Sequence, residues 1–576
     1  MKKLLLGNEA IARGLFESGC SVVSSYPGTP STEITEYAAE YKEMFVEWAP
    51  NEKVAYEVAL GAAIGGARAF TGLKHVGLNV AADPLFTSAY TGINAGMIIA
   101  VADDPGMHSS QNEQDSRYYA ISAKLPMLEP ADSEECLSYI KKAYEISEKF
   151  DTPVMIRLST RVSHSQSLTN VGERTEIPNK PYVKNENKFV MIPAYARQRH
   201  TVVEQRLLDM ADYADNSGIN TVEYNNTKIG VITSGISWQY AKEALGDGVS
   251  YLKLGMVNPL PNVLIKDFCT KHEEVYVIEE LDGIIENHVK ALGYPVMGKE
   301  RFPVTGELSA EIIKEKILNK SSDFQTFGET VPVRPPVMCP GCPHRGMFYS
   351  LKKLGYMVNG DIGCYALGQS PPLSAIDTTV CMGFSVSGIH GFNKATGSKK
   401  KSVGIIGDST FIHSGITGLI DIAYNAGNST VIILDNSITG MTGHQENPTT
   451  GKNIRGEAAT AVNLELLCKA VGIEDIYTVD PYDIENVEKL LNKTSESDKP
   501  SVIIARRPCA LLKTVKAKPA LKISADKCKS CKMCLKIGCP SIKFVDGKAS
   551  IDTTLCVGCE LCTKLCKFDA IGKGGN

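Results

Sequence analysis

Eight of the 17 cysteines fall in the last 49 residues, in two runs: Cys528-x2-Cys531-x2-Cys534-x4-Cys539-Pro540 and Cys556-x2-Cys559-x2-Cys562-x3-Cys566. The first three members of the two runs are offset by 28 residues, a tandem repeat inside one small domain. Three thiolates on one loop supply one face of an iron–sulfur cubane, and a fourth closes it. Paired zinc sites and disulfides are the bland readings; the repeat and Pro540 weigh against both. A second set is spread more widely: Cys339-Pro340-Gly341-Cys342, then Cys364 and Cys509. A lone Cys-x2-Cys suits a redox pair or half a zinc site. Between these cysteines, Gly407-Asp408-Ser409 ends an apolar run, and Asn436 ends the next one 28 residues after Asp408. A carboxylate and an amide oxygen at neighbouring strand ends suit an oxygen-liganded Mg²⁺ that keeps substrate phosphates as further ligands.

The elements that must position these groups alternate between strand and helix. Residues 403–406 read as a buried strand, 416–426 as a helix and 430–434 as the next parallel strand. Near the start, Glu57 opens a small-residue helical stretch running to Arg68 and Gly72, with Glu52 as a competing acid five residues earlier. Tyr26-Pro27-Gly28-Thr29-Pro30-Ser31-Thr32-Glu33 is a strand-to-helix turn with Ser and Thr placed for capping. Strands at 229–233 and 275–279 mark a further α/β region, in which Glu279-Glu280 reads as a strand-end surface pair. Residues 511–523, with their lysines and Pro519, read as a linker to the tail. Cys20, Cys136, Cys269, Cys381 and Cys468 sit in apolar or helical contexts and read as inert core thiols. His413 reads as structural.

Composition bounds these readings. The 576 residues, 43% hydrophobic and 22% charged, suffice for several globular domains. A net charge of −4 excludes an ordinary nucleic-acid binder. No apolar stretch approaches the roughly 18 residues of a membrane span. The run Met1-Lys2-Lys3-Leu4-Leu5-Leu6 stops at Gly7-Asn8-Glu9, too short for a signal peptide. The expectation is a cytoplasmic protein whose clustered cysteines bind metal.

Several of these motifs carry family resemblances. The tail resembles bacterial two-cluster ferredoxins, in which the fourth cysteine of each run ligates the other cluster. That implies one [4Fe–4S] on Cys528, Cys531, Cys534 and Cys566, and another on Cys556, Cys559, Cys562 and Cys539. The tail departs from the pattern by an extra residue before Cys539 and by Lys567 where proline is usual. The Gly-Asp turn with its distant Asn resembles the thiamine diphosphate motif. Gly440-Met441-Thr442-Gly443-His444-Gln445 and Pro448-Thr449-Thr450 look like the matching stretch of 2-oxoacid:ferredoxin oxidoreductases. The resemblance implies Mg²⁺ on Asp408, Asn436 and the Ile438 carbonyl, with Gly407, Ser409, Met441, Thr442 and Cys364 beside the cofactor. It also implies Glu57 as the acid that activates the thiamine pyrimidine, and Thr29 of the YP-x-TPS-like turn near the substrate carboxylate. Cys339, Cys342, Cys364 and Cys509 match the ligands of a third, proximal [4Fe–4S], although His344-Arg345 departs from the usual continuation.

The motif order, with Ala102-Asp103-Asp104-Pro105-Gly106-Met107-His108-Ser109-Ser110-Gln111-Asn112-Glu113-Gln114-Asp115-Ser116-Arg117, closely resembles the α subunits of indolepyruvate:ferredoxin oxidoreductases. The implied fold class is α/β. It comprises a pyrimidine-type thiamine domain (1–190), a transketolase C-terminal-like domain (191–330), a diphosphate-type thiamine domain (331–515) and a two-cluster ferredoxin domain (522–576). The polar run 107–117 is a candidate substrate or CoA loop through His108, Gln111 and Arg117; a solvated helix start is the alternative. The implied activity is oxidative decarboxylation of arylpyruvates such as indolepyruvate and phenylpyruvate. CoA would take the acyl group, CO₂ would leave, and electrons would pass through the clusters to soluble ferredoxin. A γ-type domain linked to CoA has no counterpart segment, so a small β subunit in an α2β2 heterotetramer is expected. The alternatives are the same chemistry on aliphatic 2-oxoacids, or an inactive electron-transfer subunit.

Overall fold

The computed structural model describes residues 1–320, 328–397 and 401–573. The stretches 321–327, 398–400 and 574–576, which belong to the expected second, third and fourth domains, lie outside the described residues. The chain divides into two compact units, Met1–Gly328 and Glu329–Asn576.

The first unit is built on a seven-stranded sheet. From one edge its strands are Met256–Asn258, Met127–Leu128, Val154–Ser159, Met97–Asp103, Ala69–Lys74, Val22–Ser25 and Phe45–Trp48. All are parallel except Met256–Asn258. The central strands are buried along their whole length, as expected where helices cover both faces. Parallel strands place their carboxyl ends on one edge, where open α/β sheets bind ligands. A second sheet carries Glu274–Ile278, Ile229–Ser234, Ser250–Leu254 and Thr221–Glu223 in that order. Met256–Asn258 follows directly from it and completes the larger sheet, so one apolar cluster spans both, from Leu73 and Val101 to Leu252 and Val277.

This packing corrects two expectations. Glu279 and Glu280 are not a surface pair: they are 2% and 6% exposed. Arg117 is not in a solvent-facing loop. It is 1% exposed, and its guanidinium pairs with Asp115 at 2.6 Å and Glu279 at 2.5 Å while donating to the carbonyls of Glu280 and Asp282. Beside it Arg157 pairs with Asp103 at 2.7 Å and Glu129 at 2.5 Å. The ion pairs tie the carboxyl edge of the large sheet to the strand end of the small one.

In the second unit a five-stranded, all-parallel sheet runs Met357–Asn359, Ser402–Gly407, Thr430–Asp435, Ser501–Arg506, Asp475–Val479. The tail adds two small antiparallel pairs, Leu521–Ile523 with Ile571–Lys573 and Ile542–Val545 with Lys548–Ile551. Leu521–Ile523 is thus a strand of the tail, not the end of a linker. The tail shares a core with the parallel domain, in which Phe348 and Leu351 pack with Leu521, Ile537 and Leu561. Four of the five expected core thiols are buried; Cys381 is exposed, in the loop before the Phe384–Thr396 helix.

Candidate active site

The carboxyl edge of the five-stranded sheet gathers the predicted diphosphate residues. Asp408 follows the Ser402–Gly407 strand, Asn436 follows Thr430–Asp435, and the Cys509 N–H donates to the Asn436 carbonyl at 2.9 Å. Asn436 Oδ1 lies 2.9 Å from the Ile438 carbonyl oxygen and 3.2 Å from Asp408 Oδ1. With the amide turned so that its Nδ2 faces these two oxygens it donates to both, so the Asp408 carboxylate and the Ile438 carbonyl lie on either side of one amide at the sheet edge, oxygen donors of the kind that suit Mg²⁺. Burial, with the Asp435 charge adding to it, pushes the Asp408 carboxyl up to about 7, a cost that a bound cation relieves. Thr449 Oγ1 donates to Asp408 Oδ2 at 3.3 Å, and Thr439 Oγ1 to Ser409 Oγ at 2.9 Å. Ile438 is buried, whereas the Met441 side chain is half exposed. Thr442 Oγ1 turns to Gln445 at 2.5 Å.

The tail cysteines surround two separate cavities. One is lined by Cys528, Cys531, Cys534 and Cys566, the other by Cys539, Cys556, Cys559 and Cys562. Among the described residues no three His, Cys, Asp or Glu side chains close around a single ion. Four thiols around an open space suit a cubane better than zinc. Backbone N–H groups of Leu521 and Ala570 point at Cys556 and Cys566 sulfurs at 3.5 and 3.4 Å, the kind of contact that tunes cluster potentials. Burial and neighbouring thiols push Cys562 up to about 12, a cost removed when iron takes the thiolates.

The widely spaced set also converges. Cys339 and Cys342 precede the His344–Leu354 helix, Cys364 follows the Met357–Asn359 strand and Cys509 follows Ser501–Arg506. Burial, with Cys509 and Cys339 nearby, pushes Cys364 up to about 11. A Cβ on Gly440 would lie 3.2 Å from Cys364 Sγ, so the 440–445 loop closes against this thiol. Gly341 brings the set against the tail, since a Cβ there would lie 2.5 Å from Val557 Cγ2 and 3.7 Å from Cys559 Cβ. The backbone at Gly341 has φ +68°, which favours glycine.

In the first unit the carboxyl edge carries the Tyr26–Thr29 turn, the start of the Glu52–Ile64 helix, Lys74-His75 and Asp104. Thr29 is half-buried there, and Gly28 packs on Lys74. The expected capping by Ser31 is absent: its hydroxyl donates to the Gly28 carbonyl instead. Burial separates the two candidate acids. Glu57 lies on the outer face of the helix, its side chain 46% exposed and paired with Lys53. Glu52 is 5% exposed at the first turn, and a Cβ on Gly77 would lie 2.6 Å from its Oε1, so Gly77 leaves room for the carboxylate. Lys74 and His75, missed in the sequence, hold the 107–117 loop: Lys74 Nζ donates to Ser109 O at 2.7 Å and His75 Nε2 meets Asn112 Oδ1 at 2.9 Å. Burial lowers Lys74 to about 8, against the pull of Asp104. His108 pairs with Glu307 at 3.0 Å, and Gln111 is exposed.

Known proteins match these parts. Residues 13–227 match the family described as pyruvate flavodoxin/ferredoxin oxidoreductase, thiamine diphosphate-binding. Residues 361–505 match the C-terminal thiamine pyrophosphate-binding domain of thiamine pyrophosphate enzymes, and residues 549–572 a 4Fe–4S binding domain. The chain is 40% identical to the indolepyruvate oxidoreductase subunit IorA of Archaeoglobus fulgidus, across 99% of this chain and 97% of that one. The same subunit of Methanothermobacter marburgensis matches at 40%, over 99% and 97%. That of Pyrococcus abyssi matches at 38%, over 99% and 96%. The chain belongs to the IorA family. As a member it is a thiamine-dependent oxidoreductase subunit, with 2-oxoacid:ferredoxin oxidoreductase chemistry and iron–sulfur electron transfer. Among the described residues of this IorA-family chain, no helix is long and apolar enough to cross a membrane.

Two of the three departures meet in space: the carbonyl of Gly538, in the lengthened stretch between Cys534 and Cys539, accepts from Arg345 of the His344-Arg345 pair.

Proposed function

We propose that this chain is the thiamine-bearing subunit of an enzyme that oxidatively decarboxylates arylpyruvates with CoA, giving acyl-CoA and CO₂ and sending electrons to ferredoxin. The observation that carries the reading is the contiguity of centres at one sheet edge. Asn436 is hydrogen-bonded to Cys509, and the Cys339–Cys342 loop is packed on Cys559. Thiamine diphosphate, when bound, supplies the carbon nucleophile and electron sink for decarboxylation, and the clusters accept electrons singly.

The chain's residues then have defined tasks. Asp408, Asn436 and the Ile438 carbonyl would hold Mg²⁺, which would supply positive charge for the diphosphate, with Ser409 and Thr449 orienting the ligands. Glu52, not Glu57, hydrogen-bonds the pyrimidine ring and moves its proton, because burial strengthens such a contact. Thr29 and Lys74, whose ammonium burial makes easier to neutralise, orient the substrate carboxylate. Cys339, Cys342, Cys364 and Cys509 would hold a third cluster, which would supply one-electron transfer between the thiamine edge and the Cys539 and Cys528 sets. The relatives are named as subunits, which supports a partner subunit; the reading takes it as a small β chain in a cytoplasmic α2β2 assembly.

The test is anaerobic dye reduction by the complete α–β enzyme with CoA and indolepyruvate, phenylpyruvate, pyruvate or 2-oxoglutarate. Arylpyruvates should give the highest kcat/KM by at least about tenfold, or about 1.4 kcal/mol. Preference for pyruvate overturns the substrate assignment.

A further inference from the structure

Arg345 lies between two of the cysteine-lined sites and is 2% exposed. Its Nε and Nη2 donate to the Cys339 carbonyl at 3.3 and 3.2 Å, and Nη2 also donates to the Met338 carbonyl. Nη1 donates to the carbonyls of Ile537 at 3.2 Å and Gly538 at 2.5 Å. One planar fork thus grips the loop that opens at Cys339 and the loop that ends at Cys539. The side chain also lines the cavity of Cys539, Cys556, Cys559 and Cys562. Among the described residues all its acceptors are neutral carbonyls, and no carboxylate pairs with it.

A guanidinium cannot shed its proton, and burying one without a counter-charge is costly. The counter-charge is available on both sides. A [4Fe–4S] core held by four thiolates is a net anion, and reduction adds another negative charge. Tyr482 forms a second strut: its hydroxyl donates to the Gly341 carbonyl at 2.6 Å and lies against the Cys559 thiol, and Arg507 stacks on its ring at 3.9 Å. This argument rests on the proposed reading that both cysteine sets carry clusters.

We propose that Arg345 is a positioning residue shared by two clusters, its charge raising the potentials of the Cys339 and Cys539 sites together and its five N–H groups fixing their separation. The outer Cys528 site, whose cavity Arg345 does not line, lies beyond its main influence.

The test is a redox titration of the full α–β holoenzyme followed by electron paramagnetic resonance, with iron counted per chain. Arg345→Met should keep the wild-type iron content. It should lower the reduced-to-oxidised ratio of the two inner clusters at fixed potential about tenfold, equal to about 59 mV for a one-electron couple, with the outer cluster unmoved. Arg345→Lys keeps the charge but not the fork. It should hold both potentials near wild type while altering the magnetic coupling between the two reduced clusters. Tyr482→Phe should change that coupling in the same direction without moving the charge. Unchanged inner potentials in Arg345→Met, or an equal shift of all three clusters, overturn the electrostatic role; unchanged coupling in both Arg345→Lys and Tyr482→Phe overturns the spacer role. If Arg345→Met sheds iron, the Arg345→Lys and Tyr482→Phe couplings decide the matter. A wild-type enzyme lacking the Cys339-site signal refutes the three-cluster reading itself, a result distinct from these.

Discussion

Five residues along an α-helix turn through about 500°, so Glu52 and Glu57 face directions about 140° apart. The buried face of the Glu52–Ile64 helix is Glu52, Ala55, Tyr56, Ala59 and Ala63, which leaves Glu57 outside. Glu52→Gln should lower turnover at least about 100-fold while thiamine diphosphate binding, followed by calorimetry, persists; Glu57→Gln should stay within about threefold of wild type. Equal losses in the two variants would return the role to the helix as a whole. The acid was ambiguous in the sequence because both candidates precede the same small-residue stretch, and only the packed face separates them. The cysteine runs were legible because their ligands lie on short loops whose spacing is itself the geometry. Arg117 was not, since its partner Glu279 is 162 residues away. Arg345 was visible only as an oddity, and its meaning required the tail loop it grips.

At the scale of elements, parallel strands explain why residues from distant motifs meet. Asp408, Asn436, Cys364 and Cys509 each follow a different strand of one sheet, and alternating strand and helix patterns made that edge foreseeable. The Met256–Asn258 strand was not foreseeable: three residues carry no periodic signal, and its role comes from pairing with Met127–Leu128. The same seam buries Glu280, whose Oε1 accepts from the Leu308 N–H at 3.0 Å. Burial pushes Glu280 up to about 7 from an ordinary 4.5. The folded state therefore prefers the protonated acid, and the stability this lends is complete below about pH 4.5 and lost as pH rises through about 7. Glu280→Gln keeps the acceptor for Leu308 without the charge. It should raise stability by about 2–3 kcal/mol at pH 8 and by little at pH 4.5, as read from denaturant unfolding at the two pH values. An equal effect at both would exclude an ionisation penalty.

Across the whole molecule, charge is distributed unevenly. The tail from 521 to 573 has ten lysines and five acidic residues, whereas the entire chain carries −4. Lys527, Lys529 and Lys532 are exposed around Cys528 and Cys531, on the site farthest along the proposed electron path. Reduction of an acidic ferredoxin should slow roughly fivefold when ionic strength rises from about 0.05 to about 0.5 M, and less so in Lys529→Glu/Lys532→Glu, while reduction of a small neutral dye stays level. A salt response unchanged by the substitutions would place the acceptor elsewhere. The proposed electron path needs three cluster sites in series from the thiamine edge to this lysine-bearing tail. Iron and acid-labile sulfide per chain in the anaerobically purified protein test it most directly. Three cubanes require about 12 of each, four per cluster. About eight, with both tail clusters intact, would contradict it by breaking the path at Cys339, Cys342, Cys364 and Cys509.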